Sequence, residues 1–180
     1  LVCPKSRVDV PFCAKNRVND ILLLGGYAPL NTAQIWNLCH YASEKKLSLA
    51  ALRVYLACSE MIERRCKVEK TPFYGVGEIT KLTGLKERTV NNGLRELTKH
   101  GLLEFSEENV KILPQSTFDF EQQPFDTDPN RIVPIPRRLL RILASHTSKN
   151  QIIVTLIHCA RGLFLLGKKL VMKGAVKCSW

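Results

Sequence analysis

The chain has 180 residues, 45% of them hydrophobic and 24% charged, and a formal net charge of +11. That balance excludes a disordered polyelectrolyte and leaves room for one good core or two small ones. The positive excess points to a polyanionic partner, nucleic acid before an acidic membrane surface.

Seven cysteines, an odd number with no C-x-x-C pair, argue against a zinc site or a secreted disulfide framework. They fit reduced thiols in a cytoplasmic protein. Cys66, within Arg64-Arg65-Cys66-Lys67, is the candidate for a redox-sensitive thiol, because neighbouring positive charge lowers a thiol pKa. No secretion signal is evident, and no apolar run reaches the roughly 20 residues that span a bilayer. A start at Leu1 is what a fragment or a processed product would show.

In chain order, residues 1–30 carry Pro4, Pro11, Gly25, Gly26 and Pro29 among short apolar pieces. They read as an irregular arm with room for one short strand or helix. Asn31-Thr32 caps a first helix that carries Ile35, Trp36, Leu38, Cys39 and Ala42 and ends near Lys45-Lys46. Ser48 caps a second, in which Leu49, Leu52, Leu56 and Ile62 recur at helical spacing to about Arg65. Arg53, Glu60, Glu63 and Arg64 form its expected solvated face.

Pro72 blocks helix, and residues 73–76 are a strand candidate. A short helix at 77–83 places Ile79 and Leu82 inward. Gly84 makes the turn, as glycine takes a positive φ without steric cost. Leu85 plugs that turn. A further helix, from Lys86 to His100, is terminated by Gly101. Residues 102–105 and 110–113 make a β-hairpin around a polar turn.

Residues 114–136 hold four acidic residues, one arginine and five prolines. They read as a linker or strap, and Phe118, Phe120, Phe125 and Ile132 suit it for packing rather than floating. Residues 137–180 return to helix, with a short one around Leu139–Leu143, a longer one at about 149–166, and a strand candidate at 170–172. The expected organisation is an arm (1–30), a main domain (31–113), an acidic Pro-rich linker (114–136) and a basic helical segment (137–180).

The most specific stretch runs from Gly77-Glu78-Ile79-Thr80-Lys81-Leu82-Thr83-Gly84-Leu85-Lys86 through Glu87-Arg88-Thr89-Val90-Asn91-Asn92-Gly93-Leu94-Arg95-Glu96-Leu97 to Gly101-Leu102-Leu103. It resembles the winged helix-turn-helix of bacterial transcription regulators and plasmid replication initiators over about 65 residues, at 48–113. The resemblance implies a mainly α fold with a small β-hairpin wing (α+β), a double-stranded DNA partner and a recognition helix at 86–100.

The residues agree. At 100° per position, Val90, Leu94 and Leu97 lie within about 60° of one another, and Arg88, Asn92, Arg95 and Lys99 occupy the opposite side. Arg pairs with guanine and Asn with adenine in a major groove, which admits one such helix. The N-terminal residues of a recognition helix lie nearest the bases. Arg88, Thr89 and Asn92 are therefore assigned to base reading, and Lys86, Arg95 and Lys99 to phosphates. Two departures stand out. Lys86 holds the position where a Ser or Asp cap is usual. Glu107 and Glu108 at the wing tip would be repelled by a phosphate-lined groove, so the wing is expected to stay off the groove floor or to serve protein contact.

Charge is unevenly placed. Residues 77–113 carry six basic and six acidic residues, whereas 137–180 carry nine basic residues and no acid. The attraction for a polyanion is expected from the flanks, with Arg137, Arg138, Arg141, Lys168 and Lys169 as further phosphate contacts. A long helix followed by a strand repeats the order seen before the first helix-turn-helix, so 137–180 reads as the start of a second winged helix. The other reading of 137–166 is a dimerisation surface built on Ile152, Ile153, Leu156, Ile157, Ala160, Leu163 and Phe164.

No phosphate-binding P-loop, paired metal ligands or nucleophilic triad is found, and His40, His100, His146 and His158 are scattered. No enzyme, cofactor or metal is expected. Two function classes remain: a sequence-specific DNA binder acting in transcription or replication initiation, and a protein-interaction module on the same scaffold with non-specific DNA affinity.

Overall fold

Local capping sets where the helices begin. Asn31 Oδ1 accepts from the Gln34 N–H at 2.7 Å while Gln34 Oε1 accepts from the Asn31 N–H at 2.8 Å. This reciprocal box starts the first helix. Ser48 Oγ accepts from the Ala51 N–H at 3.1 Å and starts the second.

The structure, a computed structural model, describes residues 26–61, 75–106, 110–120 and 128–171, the stretch 162–171 by backbone alone. Its elements are β1 (Tyr27–Asn31), α1 (Thr32–Ser43), α2 (Leu49–Met61), α3 (Val76–Thr83), α4 (Glu87–Lys99), β2 (Leu103–Phe105), β3 (Val110–Ile112), β4 (Ile132–Pro136), α5 (Arg137–His146) and α6 (Lys149–Val171). The fold is mainly helical with two small antiparallel two-stranded sheets, β1–β4 and β2–β3, an α+β arrangement.

α2 is the axis of the core. Ala51, Leu52, Val54, Tyr55, Leu56, Ala57 and Cys58 are all buried, and a helix apolar on all sides must be covered on all sides. α4 and α5 flank it, α3 touches all three, and α6 lies on α1. One continuous cluster joins Ala28 and Leu30 of β1, Ile79, Leu94 and Leu97, Val133 and Ile135 of β4, Leu140 and Leu143 of α5, and Ile152 and Leu156 of α6. Residues 137–160 therefore share the core of the 31–113 unit rather than standing apart from it.

The β1–β4 sheet is the main element that the sequence reading did not assemble. Its register pairs Ala28 with Ile135, Pro29 with Pro134 and Leu30 with Val133. Ala28, Leu30, Val133 and Ile135 point inward, as the two-residue period of a strand requires. Proline has no N–H to give a ladder. Facing Pro29 and Pro134 fit a pair where no ladder bond is due, and they leave both sheet edges short of donors.

The arm, read with room for one short strand or helix, ends in the strand β1. The segment read as a linker or strap contains β4, and before it residues 113–120 lie along α1. Asn31 Nδ2 donates to the Gln115 carbonyl at 2.7 Å, and Asn37 Nδ2 to that of Thr117 at 2.9 Å. Tyr41 Oη donates to Asp119 Oδ2 at 2.6 Å, and the Phe120 ring lies 4.9 Å from that of His40.

Val76 opens α3 instead of closing a strand, because Gly75 adopts the extended N-cap conformation. α1 ends at Ser43, and Lys45 turns the chain with φ of 58°. Leu170 and Val171 continue α6: Gly167 costs a helix only about 1 kcal/mol and does not stop it. The strand that suggested a second winged helix is therefore absent at those two positions. Glu60 is not solvated but fully buried, since α5 covers that side of α2. The readings at residues 1–25, 62–74, 107–109, 121–127 and 172–180, Cys66, Glu107 and Glu108 among them, lie outside the described residues.

Candidate functional site

α3, a turn and α4 are built from local signals. Gly84 takes φ of 69° and closes α3, its N–H donating to the Thr80 carbonyl at 2.9 Å. Leu85 packs against the core from the turn. Lys86 occupies the N-cap of α4 without a side-chain cap bond. At the far end, the Gly101 N–H reaches the Thr98 carbonyl at 3.0 Å and the Leu102 N–H reaches Leu97 at 3.1 Å. With Gly101 at φ of 63°, this is a Schellman stop that delivers the chain into the β2–β3 hairpin.

α4 is fastened on one side only. Val90, Leu94 and Leu97 are fully buried. Gly93 permits close approach: a Cβ there would stand 3.2 Å from Val54 Cγ2 and 3.3 Å from Ala51 Cα. Glu96 clips α4 to the start of α2, accepting from the Ser48 N–H at 2.6 Å and from Ser48 Oγ at 2.7 Å. Its carboxylate is thereby committed away from the outer face.

On that outer face Glu87, Arg88, Asn91, Asn92 and Arg95 line a shallow hollow of about 510 Å³. The structure thus brings Arg88, Asn92 and Arg95 together, with Lys86 and Lys99 exposed near either end of the helix. Thr89 is half-buried and does not line the hollow. Asn91 and Glu87 do line it, and the sequence reading had not singled them out. Asn91 was within reach of the helical wheel, about 60° from Arg88. The balanced charge of 77–113 conceals this face: Glu96 is tied to Ser48, and Glu104 faces Lys111 at 4.0 Å across the hairpin.

The further phosphate candidates divide. Arg138 is exposed on α5. Arg137 is buried, and its Nη1 donates to the Glu60 carbonyl. It is a structural group, which corrects its assignment as a surface contact. Arg141 donates from Nε to Glu60 Oε1 at 2.6 Å while its side chain stays 55% exposed. Lys168 and Lys169 lie in α6, where the backbone alone is described.

Cys39 and Cys58 are buried in the core, whereas His146 and His158 are exposed. Burial pushes the thiols of Cys39 and Cys58 up to about 12, so both stay protonated and unreactive near neutrality. Burial, with the Asp119 carboxylate beside it, likewise raises the Tyr41 phenol to about 12. His100 lies 5.0 Å from the Tyr41 ring. Among the described residues no three His, Cys, Asp or Glu side chains are grouped to hold a metal, and no helix is long and apolar enough to cross a membrane. Comparison with protein-family models, with curated proteins and with solved structures returned no match.

Proposed function

We propose that this chain binds double-stranded DNA sequence-specifically as a winged helix-turn-helix protein. In this reading α3, the Gly84 turn and α4 form the helix-turn-helix, α2 supports it, and β2–β3 is the wing. The observation that carries the reading is the outer face of α4, where Arg88, Asn91, Asn92 and Arg95 share one open hollow with Glu87, opposite a fully buried face. A helix anchored in this way can enter a major groove with guanidinium and carboxamide groups aimed at base edges. Arg88 and Asn92 read bases. Lys86, Arg95, Lys99 and Arg138 meet phosphates, and Thr89 serves at the margin. On the resemblance to bacterial transcription regulators and plasmid replication initiators, the proposed role is transcription regulation or replication initiation in the cytoplasm.

The test is a duplex pool of random sequence, put through binding and sequencing at two salt concentrations. A motif that persists as salt rises supports the reading, and one half-site or two separates monomer from dimer. Binding without enrichment, lost steeply as salt rises, rejects it. That outcome favours the second reading, a protein-interaction module. Tyr27 and Ile132, half-exposed on the outer face of the β1–β4 sheet at 50% and 55%, are the observation on its side.

A further inference from the structure

Among the described residues outside the α4 face, a buried charged cluster lies where Glu60 of α2 meets Arg137 and Arg141 of α5. We propose that Glu60 is a positioning residue, whose buried carboxylate holds Arg141 ready for a backbone phosphate of duplex DNA flanking the groove read by α4. The inference rests on the DNA-binding reading above.

Glu60 is fully buried, and its Oε1 takes the Nε–H of Arg141 at 2.6 Å. Only the Nε of Arg141 is engaged among the described residues, and the side chain remains 55% exposed. A guanidinium held by Nε keeps its Nη donors, arranged as a fork that matches two phosphate oxygens. Without such a hold, an exposed arginine loses rotamer entropy each time it binds.

Arg137 contributes a second tie, from its buried guanidinium to the Glu60 carbonyl, so the first turn of α5 is fixed to α2. Exposed Arg138 adds a second cation beside Arg141. No acidic residue occurs from 129 to the end of the chain, so nothing on α5 itself opposes a phosphate. α5 also packs on α3. In a helix-turn-helix the first helix crosses the DNA backbone, so the helix beside it meets the flanking phosphates.

The experiment uses the full chain and a short labelled duplex of scrambled sequence, with affinity measured across a salt series and folding checked by thermal melts. Arg141→Gln is expected to reduce the slope of log affinity against log salt by about one, the signature of one lost phosphate contact. Arg141→Lys keeps the charge but not the Nε hold, and is expected to retain the slope while binding several-fold more weakly.

Glu60→Gln raises the net charge by one, so simple attraction would tighten binding. Positioning requires it to weaken binding several-fold. An unchanged slope in Arg141→Gln, or undiminished binding by Arg141→Lys and Glu60→Gln, overturns the inference while leaving the DNA reading intact. If Glu60→Gln does not fold, the two Arg141 variants decide. A wild-type chain with no salt-dependent binding sinks the DNA reading and this inference together.

Discussion

The two flanks of α2 are held by opposite means. Against α4 the contact is steric and apolar: Gly93 lets the helices close on Val54 and Ala51, and Val90, Leu94 and Leu97 fill the seam. Against α5 the contact includes a buried carboxylate and two arginines. The consequence shows on the outside. α4 needs none of its cations for anchorage, so Arg88 and Arg95 are free to line an open face. α5 turns Arg137 inward and ties Arg141 at Nε, leaving Arg138 outward. The two helices thus present their arginines differently because α4 meets α2 through its own Gly93, whereas α5 meets it at Glu60.

This contrast can be broken experimentally. The largest effect is expected on the ionic flank. Glu60→Ala removes the buried carboxylate that accepts from Arg141 Nε, while the Arg137 bond to the backbone carbonyl remains, and should cost about 3 kcal/mol, read as a lower urea midpoint. A loss below about 1 kcal/mol would mean that α5 is held by its apolar contacts alone.

On the steric flank, Gly93→Val drives a branched side chain into Val54 and the Ala51 backbone. About 2 kcal/mol of overpacking is expected by the same assay. A neutral or stabilising result would show that α4 can move off α2.

Smallest per group is the response of the apolar core to alkali. Cys39 and Cys58 keep raised pKa values near 12 when folded, against 9.0 for the free thiol. Their contribution is complete below pH 9 and falls as pH rises from 9 towards 12, because only the unfolded chain can release those protons. By pH 10 the expected loss is about 1.4 kcal/mol per thiol. Replacing each by Ala should flatten that part of the stability curve; an unchanged curve would contradict the burial argument.

What could be read in advance follows the range of the interactions. α3, its turn and α4 were legible because Gly84, Gly101 and the period of Val90, Leu94 and Leu97 act over a few residues. The caps at Asn31 and Ser48 were legible for the same reason. β1 and β4 were not, since the pairing joins Tyr27 to Pro136 across the chain, and prolines in both strands speak against a ladder. Glu60 was misread because a helical pattern shows that a residue lies off the apolar stripe, not that another helix will cover it. Arg137 was misplaced with it, since its guanidinium turns inward to the Glu60 carbonyl. On α4, Arg88, Asn92 and Arg95 were found, while Asn91 was passed over for its neighbour although both lie on the outward arc.

Substitution of Arg88 and Asn92 tests the proposed base reading by α4 most directly. With a duplex selected by the wild-type chain, Arg88→Ala and Asn92→Ala should each weaken binding by about 1–3 kcal/mol. Binding to scrambled duplex should change far less, and the fold should survive because both side chains are exposed. Equal losses on selected and scrambled duplex, or no loss on either, would contradict base reading by α4.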